Sequence, residues 1–155
     1  MSKTNAERLL KQSKVPFESI SYVVDLNDLS ALAVSKKINF PLSSIFKTLV
    51  LEDDQKNYLF VVISGEEEVN LKAVARSAGA KKVSLVPMKV LESLTGYVRG
   101  GVSPVGAKKA FPVFLSDRAV DQPYIVISAG KRGAQIKLSP HDLLAFTSGI
   151  LYPNR

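Results

Sequence analysis

The chain reads as a mixed α+β domain around one sheet. Two observations predict this. Six or seven short runs rich in β-branched and aromatic residues are bounded by Gly, Pro, Asn or Asp. About five amphipathic stretches with recognisable caps fall between them, without the strict alternation of a parallel α/β fold. A regular nucleotide-binding βαβ fold is disfavoured, since no glycine fingerprint follows the first strand and no GxxxxGK[ST] occurs. The 155 residues fit one domain spanning 1–155, large enough to bury roughly two-thirds of its unfolded surface.

In chain order, Thr4-Asn-Ala-Glu7 has the spacing of a capping box, with Thr4 as N-cap and Glu7 three residues on. Leu9 and Leu10 give that helix its apolar side and Pro16 ends it. Phe17 to Val24 predicts a strand. Asp28 is positioned to cap a helix running to about Lys37, with Leu29, Leu32 and Ala33 inward. After the turn at Pro41, Ile45–Leu51 and Tyr58–Ile63 predict two strands joined by the acidic hairpin link 52–57. Asn70 caps a helix over Leu71–Ala78, and Gly79 stands at its C′ position. Lys81–Val86 predicts a short strand, and Pro87–Leu94 a turn or two of helix closed by Gly96. Phe111–Ser116, Tyr124–Ala129 and Ala134–Leu138 predict three more strands. Ser139-Pro140, an N-cap followed by proline, opens a last helix through Phe146. Gly149 and Pro153 end it.

Composition narrows the chemistry. The chain has no cysteine, which removes disulfides, thiolate metal sites and a protein cysteine nucleophile. No apolar run approaches the ~20 residues of a membrane-spanning helix, and the N-terminus lacks a signal-peptide core. A soluble, cytoplasmic protein is expected, with no membrane partner. The formal charge is +7, and residues 96–137 carry a net +5 of it. Acids gather at Glu52-Asp53-Asp54 and Glu66-Glu67-Glu68. Such asymmetry suits a polyanionic partner, although a solvated basic face looks the same in sequence.

Three stretches are candidates for a site. In Gly96-Tyr-Val-Arg-Gly-Gly-Val-Ser-Pro-Val-Gly106, Gly100 and Gly101 let backbone N–H groups approach a ligand unobstructed, and the loop's N–H groups need partners from protein or ligand. A plain turn between two strands is the bland alternative. Lys47 shares a strand face with Ile45, Leu49 and Leu51, opposite Phe46, Thr48 and Val50. Either the strand begins late and Lys47 snorkels to water, or it is a partly buried ammonium aimed at an anion or carbonyl. In Ser128-Ala-Gly-Lys-Arg-Gly133, Gly130 and Gly133 bracket Lys131 and Arg132 in a turn suited to phosphate contact, or to an ordinary hairpin tip. The single histidine, His141, falls in the first turn of the last helix, where exposure is expected. One histidine and no cysteine assemble neither a usual triad nor a zinc site.

Taken together, Phe46-Lys-Thr-Leu, Gly96-Tyr-Val-Arg-Gly-Gly-Val-Ser-Pro-Val-Gly-Ala-Lys-Lys and Ser128-Ala-Gly-Lys-Arg-Gly resemble the YbaK family over nearly the whole chain. Those are bacterial Cys-tRNA(Pro) deacylases, relatives of the editing domain of prolyl-tRNA synthetase. The resemblance implies a mixed, mostly antiparallel sheet flanked by helices. It implies a trans-editing enzyme without cofactor or metal, acting on tRNA(Pro) mischarged with cysteine, and it admits prolyl-tRNA synthetase as a partner. Lys47 stands at the family's functional lysine. Tyr22, Gly101 and Ser128 fall where the family lines its pocket, and Gly130 is read with them as a substrate contact. Lys108, Lys109, Lys131 and Arg132 are expected to meet tRNA phosphates. The chain departs from the family at Ser21-Tyr-Val-Val, where histidine is frequent, and at Gln135, where an acid often stands.

The family's chemistry explains the missing triad. The resemblance implies that the substrate's own thiol attacks its ester carbonyl while the protein holds the aminoacyl end in a bent pose. Proximity alone supplies roughly 7–11 kcal/mol. Backbone N–H groups at Gly100 and Gly101 would steady the oxyanion at roughly 2.7–4 kcal/mol per good donor, and Lys47 would anchor the terminal ribose or phosphate. Two rivals use the same basic surface: a non-catalytic module that binds tRNA or the synthetase, and a deacylase for another mischarged amino acid.

Overall fold

The computed structural model describes residues 4–107 and 111–155. The expected phosphate contacts Lys108 and Lys109 lie outside the described residues. Helix α1, Asn5–Gln12, begins at the Thr4 capping box, with the Thr4 hydroxyl accepting from the Glu7 N–H at 3.2 Å and Glu7 accepting from the Thr4 N–H at 3.0 Å. Strand β1 is shorter than expected, Glu18–Ser21. Helix α2, Ala31–Ile38, is capped by Ser30 and not by Asp28. Asp28 sits two residues upstream and accepts from the Ser30 N–H at 3.1 Å, a local turn that competes with capping. Asn39, in the left-handed region at φ 59°, ends α2.

Strands β2, Phe46–Asp53, and β3, Tyr58–Ser64, form the expected hairpin. Its tip is held by Asp53, whose carboxylate accepts from the N–H groups of Gln55 and Asn57. Helix α3, Leu71–Ala78, has Asn70 and Gly79 as its caps, as the sequence predicts. Strand β4 is Val83–Leu85 and helix α4 is Met88–Thr95, closed by Gly96 at φ 82°. Then come β5, Val113–Ser116, β6, Ile125–Ser128, and β7, Ala134–Leu138. Helix α5, Pro140–Thr147, is capped by the Ser139 hydroxyl. Strand β8, Ile150–Tyr152, was not expected: the residues after Gly149 pair in parallel with β5.

The strands divide between two sheets. One is three-stranded and antiparallel, in the order β1-β7-β6; the other is five-stranded and mixed, in the order β4-β2-β3-β5-β8. A parallel bridge between Ile45 and Val126 joins them. Two apolar cores follow from strand alternation. Phe46, Val50, Phe60 and Val62 face the three-stranded sheet and pack with Ile125, Ile127 and Ile136. Leu51, Leu59, Val61 and Ile63 face the other way and pack under Val74 of α3. The first core places the two sheets against each other, and a cleft opens beside it along the edge of β2.

Candidate functional site

Strand β2 pairs with β3 along Phe46–Glu52, but on its other side it is laddered to β4 only from Leu51 to Asp53. One further bond, Val86 N–H to the Val50 carbonyl at 3.0 Å, ends that contact. The edge of β2 before Val50 therefore opens onto a cleft of about 620 Å³. Its walls come from four places: Asn27 to Ala31 and Val34 before and within α2, the edge of β2, Leu85, Val86, Met88 and Leu91 of β4 and α4, and Arg99, Gly100 and Val102. Ser128 and Gln135, paired opposite each other on β6 and β7, close it from the second sheet.

Lys47 lines this cleft, but its side chain is exposed. The expectation of a partly buried ammonium is thereby corrected. Lys47 shares the face of Leu51 and pairs with the buried Ile63, but it stands on the stretch of β2 that β4 does not ladder. The cation reaches water at the lip, as the snorkelling alternative required.

The glycine pair splits. Gly100, at φ +84°, lines the cleft, and among the described residues its N–H forms no hydrogen bond. Gly101 does not line it. The Gly101 N–H donates to the Val98 carbonyl at 2.9 Å, and a Cβ there would lie 3.1 Å from the Lys131 Cα. The expectation of two free N–H donors is corrected to one: Gly101 lets the 96–106 loop pass close to the 128–133 turn. Two side-chain bonds brace that loop. The Tyr97 hydroxyl donates to the Val105 carbonyl at 2.5 Å, and the Thr95 hydroxyl accepts from the Tyr97 N–H at 3.0 Å. Burial pushes the Tyr97 phenol up to about 12.

Ser128 lines the cleft with its hydroxyl accepting from the Gly130 N–H at 3.1 Å, which leaves its own proton to donate. Gly130 itself is a packing position. At φ +103° it faces the Tyr97 ring, and a Cβ would lie 3.0 Å from Tyr97 Cε1. Tyr22 lies apart from the cleft. It lines a separate recess with Val23, Val24, Asp25 and Lys37, and its N–H donates to the Gly133 carbonyl at 3.0 Å. Lys131 is exposed, and Arg132 latches the two loops through a bond from its Nε to the Arg99 carbonyl at 2.7 Å. His141 is exposed on the first turn of α5, away from the cleft.

One cleft residue, Thr48, was not picked out from sequence, and another, Gln135, was noted there only as a departure from the family pattern. Gln135 is 5% exposed, and it puts an uncharged amide beside Ser128. Thr48 is more unusual, because its Oγ1 is buried and has no hydrogen-bond partner among the described residues. A buried hydroxyl without a partner is costly, and this one lies in a cleft wall. Its signal in sequence was a single hydroxyl between Phe46 and Val50 on a core-facing strand.

Comparison with known proteins gives a consistent picture. A family model described as an aminoacyl-tRNA editing domain matches residues 28–146. EbsC of Enterococcus faecalis, provisionally named a Cys-tRNA(Pro)/Cys-tRNA(Cys) deacylase, is 42% identical over 95% of this chain and 90% of its own. A proline–tRNA ligase of a Sulfurihydrogenibium species is 29% identical over 84% of this chain, which spans only 22% of that ligase. A solved structure provisionally described as a trans-editing enzyme for prolyl-tRNA synthetase superposes with TM-score 0.82 at 20% identity, covering 99% of this chain and 98% of its own. It shares the fold.

Proposed function

The chain belongs to the aminoacyl-tRNA editing domain family, and on that premise we propose that it releases cysteine from tRNA(Pro) mischarged with it, residues 1–155 acting as one editing domain. The similarity to EbsC supports the substrate. The similarity to a stretch of proline–tRNA ligases supports prolyl-tRNA synthetase as a neighbour in the same step of translation.

One observation carries the mechanism. Among the described residues lining the cleft there is no histidine, and the single carboxylate, Asp28, is bonded to the Ser30 N–H. The cleft can hold and polarise an ester, but among the described residues it offers no histidine, and the bonds from Ser30 hold the Asp28 carboxyl below its usual pKa, which makes it a weak general base. The nucleophile is then the substrate's thiol. Its sulfur forms a bond to the ester carbonyl carbon, the bond from that carbon to the ribose oxygen breaks, and the thiol proton passes to the leaving oxygen. The products are a thiolactone and free tRNA.

In this reading the protein supplies position and charge. The Lys47 ammonium at the lip holds the terminal ribose or phosphate. The Gly100 N–H faces the developing oxyanion, where a good donor is worth roughly 2.7–4 kcal/mol. The Thr48 and Ser128 hydroxyls and the Gln135 amide fix the aminoacyl group. The deciding experiment incubates the protein with a panel of aminoacyl-tRNAs and follows the ester. Rapid loss from Cys-tRNA(Pro), with Ser- and Ala-tRNA(Pro) nearly inert, is expected. Serine differs by one atom, and pocket fit alone separates such near-isosteres by only about 10–200-fold. Equal cleavage of the serine ester would reject the thiol mechanism.

A further inference from the structure

Residues 69–91 contain five basic residues and no acid: Lys72, Arg76, Lys81, Lys82 and Lys89. All five are exposed, and none forms an ion pair with an aspartate or glutamate among the described residues. They wrap one edge of the five-stranded sheet, carried by α3 on one face, the turn that leads into the edge strand β4, and α4 on the other.

Their placement works against the local structure. Lys72 and Lys89 are the second residues of α3 and α4, neither of which has an acid in its first turn. The helix dipole disfavours a cation there. Lys72 and Arg76 are like charges at i,i+4, which also weakens a helix. Arg76 alone is placed favourably, in the last turn of α3 with its guanidinium donating to the Arg155 carbonyl at 3.4 Å. Among the described residues no side-chain bond or ion pair offsets the other four, so a partner with negative charge is the natural explanation of the cluster.

The position of the edge indicates which partner. Leu85 and Met88, on the same segment as Lys82 and Lys89, form one wall of the cleft. The opposite rim carries Arg99 and, in the adjoining turn, Lys131 and Arg132. An RNA whose 3′ end enters the cleft must bring its first duplex phosphates across one of these flanks within a few nucleotides. Duplex nucleic acid offers about one negative charge per 1.7 Å of axis.

We infer that the α3–β4–α4 edge is a phosphate-binding surface that grips the duplex part of the RNA whose end the cleft receives. The inference rests on the editing function proposed above and extends it to a surface outside the 96–137 basic window. Contacts there are to backbone phosphates, so they add affinity with little base selectivity.

The test replaces all five residues with alanine and measures two quantities. Binding of uncharged tRNA is followed by fluorescence anisotropy across a salt series. Cleavage is compared between full-length Cys-tRNA(Pro) and a short cysteinylated CCA oligonucleotide. The variant should bind tRNA at least about tenfold more weakly, with its log–log salt slope reduced by about 0.7–0.9 per lost phosphate contact. Cleavage of the oligonucleotide should stay within about twofold of the parent, since none of the five residues lines the cleft. Unchanged tRNA affinity and slope would overturn the inference and leave the edge to an acidic protein. If the parent protein cleaves neither substrate, the editing reading fails, while the binding arm still reads the surface. Should the five-site variant not fold, Lys82→Glu and Lys89→Glu singly carry the same measurement, each expected to weaken binding.

Discussion

Thr48 and Lys47 are neighbours on one strand, one with a buried hydroxyl and the other with an exposed ammonium, and carry different expectations for stability. The Thr48 hydroxyl is buried without a partner among the described residues, a state that costs about 1–3 kcal/mol. Thr48→Val keeps the shape and removes the orphaned group. Thermal unfolding of that variant should occur at the same temperature or higher, while its deacylation rate falls at least about tenfold, or about 1.4 kcal/mol of barrier. A stabilised variant with full activity would show the hydroxyl to be idle. Lys47 is exposed, so Lys47→Ala should leave the unfolding midpoint nearly unchanged. Deacylation of Cys-tRNA(Pro) should again drop about tenfold or more. Full activity in a folded Lys47→Ala would remove the ammonium from the mechanism.

At the scale of elements, α1 depends on Glu7, which is buried and accepts from Thr4 and from the Ser19 hydroxyl. Burial acts to raise the Glu7 pKa. The bond from Ser19, with those from Thr4 and the field of Lys131, outweighs it and holds the carboxyl below its usual 4.5. A lowered folded-state pKa means that ionised Glu7 stabilises the fold above about pH 4.5, and that this contribution is lost as the pH falls through the folded value. Glu7→Gln keeps the capping-box geometry and removes the charge. The variant should unfold earlier than the parent at pH 7, and the gap should close below about pH 4.5. A gap independent of pH would place the effect in packing. The Thr4 box was legible because capping needs fixed residue types at fixed spacing, and the same holds for Asn70, Gly79 and Ser139. Asp28 misled because aspartate also closes a local turn, and here it does so two residues before the true cap, Ser30. Strand β8 was hidden by its length: three residues, Ile150 to Tyr152, acquire strand character only by lying beside β5.

The cleft is a property of the whole molecule, which is why its position could be only half read from the chain. Its chemistry-bearing stretches were visible, since Lys47, Gly100 and Ser128 stand in recognisable patterns and do line one cavity. The assignment of Gly101, Gly130 and Tyr22 needed tertiary contacts: a glycine that admits a ligand and a glycine that admits another loop look alike in sequence. The pH dependence of the proposed reaction also belongs to the whole complex, because its nucleophile is carried by the substrate. A cysteine thiol has a free pKa of about 8.5, and the thiolate is the nucleophile. After subtraction of spontaneous ester loss, the cleavage rate of Cys-tRNA(Pro) should therefore rise with pH towards that value. Alkylating the cysteinyl sulfur should stop catalysed release without blocking binding of the tRNA, measured separately by anisotropy. Mass spectrometry of a rapidly quenched reaction should catch the thiolactone before water opens it. Release of the alkylated amino acid at the parent rate, with no thiolactone, would mean that water is the nucleophile. The cleft would then have to activate it through the Thr48 and Ser128 hydroxyls or the Lys47 ammonium, groups whose substitution would flatten the pH profile rather than scale it.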